Sequence, residues 1–123
     1  MPAIPTFILK KLYVAGSLRN TEEGCQLQIR NTLAPATITG VGAVSIDGVA
    51  HPPAEVALLR GNERLAATDA GSSHPVSFDI NTVVTIIIKN TKLTPGEHRI
   101  GLDVTSREAG RLKVDITDSV AGA

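Results

Sequence analysis

The sequence predicts an all-β fold, an antiparallel β-sandwich of immunoglobulin-like or jelly-roll-like type, and three observations predict it. Apolar and polar residues alternate with period two in segment after segment, and no helical periodicity persists beyond about one turn. Val, Ile and Thr make up 34 of the 123 residues, and β-branched side chains fit a pleated, half-buried surface. Turn signals recur every ~8–12 residues, the rhythm of a sandwich or barrel.

The elements follow in order. Leu12, Val14 and Leu18 alternate with polar or small residues up to a turn at Glu22-Glu23-Gly24. Cys25, Leu27, Ile29 and Leu33 then set one apolar face against Gln26, Gln28, Arg30 and Thr32. Thr37 to Ile46 reads as a strand in which Gly40 and Gly42 mark a bulge or bend. Asp47-Gly48 is the strongest hairpin signal, because a type I′ turn needs positive φ at both central positions. Pro52 to Glu55 fits one helical turn before the strand Val56 to Leu59, and Gly61-Asn62 fits a turn. The polar loop Asp69 to Pro75 precedes Val76, Phe78 and Ile80, which alternate again before Val83 to Ile88. Pro95-Gly96 turns the chain into His98 to Val104, and Arg107 to Gly110 forms the last hairpin with Leu112 to Ile116. The total is about eight or nine short strands.

One domain spans residues 1–123, with 1–9 as a leading arm and 118–123 as a short frayed tail. Leu, Ile, Val and Phe number 35, well above the level of a disordered chain. A chain of this size buries roughly 65% of its unfolded surface.

Composition then removes whole function classes. Twelve basic and twelve acidic residues cancel, so the electrostatic footprint for nucleic acid or an anionic membrane is missing. Phe7, Tyr13 and Phe78 are the only aromatic residues, too few for a base-stacking platform. A lone cysteine, Cys25, excludes an internal disulfide and a thiolate zinc site. The apolar start, Met1 to Val14, is broken by Pro2, Pro5 and Lys10-Lys11, which fits neither a signal peptide nor a membrane span. The expected location is cytoplasmic.

Chemistry is sparse. His51 and His74 each precede a proline on a loop, and no histidine stands in a chelating pair. Glu97 and His98 are neighbours on a strand and point to opposite faces. Asp103 and Asp115 could meet across adjacent antiparallel strands as paired carboxylates, although each alternates like a solvated outer face. Ser72-Ser73-His74 lacks an orienting acid, Cys25 alternates into the apolar face, and no helix follows Gly40-Val41-Gly42 to make a phosphate loop. No catalytic residue, metal ligand or cofactor is assigned to this chain.

One segment breaks the pattern. Val83-Val84-Thr85-Ile86-Ile87-Ile88 does not alternate, so it presents apolar side chains on both faces. Val84, Ile86 and Ile88 form the heavier set and are expected in the core. Val83, Thr85 and Ile87 then face outward, with Ile87 bare unless something covers it. Either the arm Ile4 to Leu9 covers this strand near a sandwich edge, or the strand is a partner interface. The candidate interface is Val83, Thr85 and Ile87, joined by Asn31, Leu33 and Pro35 of the loop Asn31 to Thr37.

The strings Lys11-Leu12-Tyr13-Val14-Ala15-Gly16-Ser17-Leu18-Arg19-Asn20-Thr21 and Ile29-Arg30-Asn31-Thr32-Leu33-Ala34-Pro35-Ala36-Thr37-Ile38 resemble the small, β subunit of C-glycoside deglycosidases. Val41-Gly42 to Asp47-Gly48, Pro95-Gly96-Glu97-His98 and Arg107-Glu108-Ala109-Gly110-Arg111-Leu112 extend the likeness over roughly residues 7–118. These are turn and strand motifs, and none is a catalytic signature. The resemblance implies a lyase complex in which a larger (β/α)-barrel α subunit carries the acid/base residues and a divalent metal, usually taken to be manganese. Its substrate is a 3-keto glycoside of an aromatic aglycone such as a flavonoid. The ketone acidifies the neighbouring C–H, so a base removes that proton and the aglycone is eliminated without hydrolysis. This chain would be the non-catalytic β-sandwich subunit of that hetero-oligomer. The alternatives are a non-catalytic immunoglobulin-like binding or adaptor domain, and a small self-sufficient enzyme using His74 or His51.

Overall fold

A computed structural model describes residues 6–71 and 73–120. Among these residues eleven strands form two antiparallel sheets: β1 (Arg19–Asn20), β2 (Gly24–Arg30), β3 (Ala36–Val41), β4 (Val44–Ile46), β5 (Val49–His51), β6 (Val56–Arg60), β7 (Glu63–Ala66), β8 (Val76–Phe78), β9 (Val83–Lys89), β10 (Gly96–Ser106) and β11 (Gly110–Val120). The first sheet runs β1-β2-β9-β6-β7. In the second, β11 pairs with β10 along its whole length, while β4 and β3 pair end to end with β10. β5 and β8 extend from β4 and β3. The all-β sandwich is the fold the alternation predicts.

Local chemistry explains most boundaries. Asp47 and Gly48 take φ of 51° and 86° in the β4–β5 turn, the left-handed pair of a type I′ hairpin. Pro53–Glu55 forms one 3-10 turn before β6. The expected strand Thr37 to Ile46 is divided into β3 and β4 at Gly42-Ala43. A Cβ on Gly42 would lie 2.6 Å from Asp103 Oδ2, so the close approach to β10 needs glycine there.

Three expectations need correction. The strand count exceeds eight or nine because Thr37 to Ile46 divides and Glu63–Ala66 pairs with β6; its Glu, Arg and Ala carry little strand propensity, as suits an edge. Leu12 to Leu18 is not a strand: Thr6–Leu9 is a short helix, α1, and Lys10–Leu12 a 3-10 turn, leaving only a bridge from Tyr13 to Ile29. The tail is not frayed from residue 118, since β11 runs to Val120, which is buried, and Asp118 accepts hydrogen bonds from Tyr13 Oη and Gly16 N.

The core lies between the sheets. Leu27, Val56, Leu58, Val84, Ile86 and Ile88 face Val44, Ile46, Phe78, Ile100, Leu102 and Ile116. No helix of the described residues is long and apolar enough to cross a membrane.

Candidate functional site

β9 is the middle strand of its sheet, between β2 and β6, so the expected edge position is wrong. The described part of the arm, α1, packs on β11 instead; Ile4 lies outside the described residues. Val84, Ile86 and Ile88 belong to the core cluster and Ile87 to the opposite face, yet Ile87 is only 4% exposed and Thr85 only 7%. Their cover comes from the same chain. The register sets Gln26 and Ala57 beside Ile87, and Gln28 beside Thr85, to whose hydroxyl the Gln28 amide donates at 3.2 Å. Arg64, outward on edge strand β7, reaches Glu23 just before β2 in a two-pronged ion pair, Nη1 to Oε1 2.8 Å. Of the outward residues on this strand singled out from the sequence, only Val83 is exposed, at 37%.

Asn31 builds a different surface at the end of the sandwich where β9 begins. It follows β2, is 2% exposed, and every polar group it carries is used. Its Nδ2 donates to Ala34 O at 2.7 Å and Phe78 O at 2.6 Å, while Oδ1 accepts from Leu33 N and Ala34 N. Its backbone N–H donates to Thr82 O, and its carbonyl accepts from Asn81 N. Asn81 sits at φ 70°, a left-handed conformation that asparagine tolerates better than most residues. Asn31 is therefore a tie between the loop 31–35 and the turn 79–82, not itself a contact surface. Held by it, Leu33 is 44% exposed, Ile80 47% and Val83 37%, with Pro35 also exposed. Leu33, Pro35 and Val83 are thus brought to one end, whereas Thr85 and Ile87 are not. Ile80 was missed because it continues the alternation of Val76 and Phe78; the turn signal Asp79-Ile80-Asn81-Thr82 is what removes it from the strand.

Several titratable groups hold elements together. His98 Nδ1 lies 2.6 Å from Asp47 Oδ2 and Nε2 2.7 Å from Thr94 O. The hydrogen bond to Asp47, then that to Thr94, raises the imidazole pKa above its ordinary value. Asp47 is held low, first by the Arg99 backbone N–H and then by His98. Asp103 and Asp115 do share a face as diagonal neighbours, but Arg111 grips Asp103 through Nε at 3.0 Å and Nη2 at 2.8 Å and lowers its pKa. Burial, then the Asp118 carboxylate, pushes the Tyr13 hydroxyl up to about 12.

His51 stands 3.4 Å from Glu55 Oε2 and from Thr91 Oγ1, tying the 3-10 turn to the loop after β9. His74 is exposed and its backbone bridges to Gly71; Ser72 lies outside the described residues. Cys25 is fully buried, and burial pushes its thiol up to about 11, the state of an inert core residue. Among the described residues no three His, Cys, Asp or Glu side chains converge to hold a metal ion.

A family model described as Hydroxymethylglutaryl-CoA reductase, N-terminal domain, matches residues 8–121. No curated protein matches the chain.

Proposed function

The chain belongs to the hydroxymethylglutaryl-CoA reductase N-terminal domain family, and from that premise we propose that it is a non-catalytic sandwich working beside a larger catalytic body. The observation that carries this reading is the Asn31-tied end, which exposes Leu33, Ile80 and Val83 together. Exposed apolar side chains on loops that are themselves locked lose little entropy on docking.

The catalytic body is a (β/α)-barrel α subunit, and the complex is a cytoplasmic C-glycoside deglycosidase. The residue strings that resemble that family's small subunit support the assignment. In this complex the barrel would supply the acid and base residues and would hold the divalent metal, taken as manganese, which would supply Lewis acidity. The base takes the proton beside the 3-keto group, and an acid of the barrel protonates the aromatic aglycone as it departs with the electron pair of the broken bond. The sandwich supports the barrel through its docking end. The family match favours a second reading, in which the same sandwich is the N-terminal domain of a hydroxymethylglutaryl-CoA reductase.

Co-expression with the barrel decides. Leu33→Asp and Val83→Asp should each cut partner retention by about tenfold or more, since each puts an unpaired charge into a desolvated contact. The complex should eliminate aglycone from a 3-keto C-glycoside, and the chain alone should not. Full retention by the double variant sinks the docking end. Reduction of hydroxymethylglutaryl-CoA by the assembled protein would select the second reading.

A further inference from the structure

A cavity of about 160 Å³ opens between the sheets beside the docking end, walled by α1, β2, β10, β11 and the loop around residue 34. Leu9, Ile29, Leu102 and Val114 supply its apolar wall, and exposed Leu33 and Pro35 lie at its rim. Four polar side chains also line it, and each is hydrogen-bonded within the chain, the Tyr13 hydroxyl to the Asp118 carboxylate. Asn31 uses its whole amide as described, Ser106 Oγ accepts from Ala109 N at 2.9 Å, and Glu108 Oε1 accepts from Thr37 N at 2.8 Å.

We propose that this cavity is a binding site for a small, uncharged, apolar ring about the size of benzene. Water in a cavity needs two to four polar partners, and most of the polar side-chain capacity at this wall is already spent within the chain. The empty wall forfeits dispersion contacts that an apolar occupant restores. A cavity of ~150 Å³ lined by aliphatic and aromatic side chains stays dry and takes up benzene, so the volume fits. A charged ligand would be desolvated with nothing to pair it. The site is a property of this chain alone and stands or falls separately from the accessory role.

Benzene should be titrated into the purified chain, with benzoate as the charged control, following methyl resonances and thermal unfolding. Saturable shifts at the methyls of Ile29, Leu102 and Val114 are expected, with none at Val49 on the far β4–β5 hairpin. At free benzene about nine times Kd the unfolded population should fall about tenfold. Val114→Phe should weaken binding at least tenfold by filling the space; if that variant does not fold, the wild-type shift map decides. Non-saturating shifts, shifts at Val49, or an equal response to benzoate would each overturn the site.

Discussion

At His98 both ring nitrogens meet acceptors, the Asp47 carboxylate and the Thr94 carbonyl, so only the imidazolium can donate to both at once. Its raised pKa means that it contributes stability fully below the unfolded value near 6.5, and that the contribution is lost as pH rises through the folded value. Asp47 is depressed, so its share is present above the unfolded value near 3.8 and is lost as pH falls through the folded one. The tie between the β4–β5 turn and β10 is therefore strongest between those two ordinary values. The melting temperature should drop as pH rises above the unfolded histidine value near 6.5, and Asp47→Asn should shrink that drop while lowering the His98 titration midpoint followed by NMR. An unchanged His98 midpoint in Asp47→Asn would rule this tie out. The sequence showed that His98 points away from Glu97. It could not show Asp47 as partner, because the two residues are 51 apart in the chain.

β9 carries a contradiction that only the sheet order resolves. Its heavier set, Val84, Ile86 and Ile88, faces the core as the alternation argued, because residue parity is a local property of a strand. The burial of Ile87 is not local. It depends on β9 being central, flanked by β2 and β6, strands that are distant from it in the chain. Ile86→Ala should cost roughly 2–5 kcal/mol in chemical denaturation, the range for a large-to-small core change. Ile87→Asp should also unfold or severely weaken the isolated domain, because it buries a charge without a partner. Val83→Asp, on the same outward face but exposed, should leave the melting temperature within about 2 °C of wild type. A well-folded Ile87→Asp would show that the outward face is open after all. The missed strand β7 follows the same logic: edge strands carry charge and Ala to deter pairing, and so read weakly as strands.

Over the whole molecule, the fold class and the hairpin at Asp47-Gly48 were legible because they rest on period, propensity and turn chemistry. The docking end was half legible. Leu33, Pro35 and Val83 could be named, but their meeting depends on Asn31, just after β2, donating to Phe78 O at the end of β8 in the other sheet and to Thr82 O just before β9. The sandwich is also closed along one side by the Tyr13–Asp118 contact, which joins the start of the described chain to its last strand. The buried Cys25 gives the opening of the sandwich a clock. With no exposure and a pKa pushed up to about 11, the thiol can react only in molecules that have come apart. A disulfide reagent in excess should therefore modify the native chain at a rate set by opening, slow in buffer and fast in denaturant. Fast labelling of the folded chain would mean that β2 breathes on its own. Because Cys25 is the only cysteine, the wild-type protein needs no engineered label. Docking of a partner or occupation of the cavity can each be weighed by how long that single sulfur stays silent.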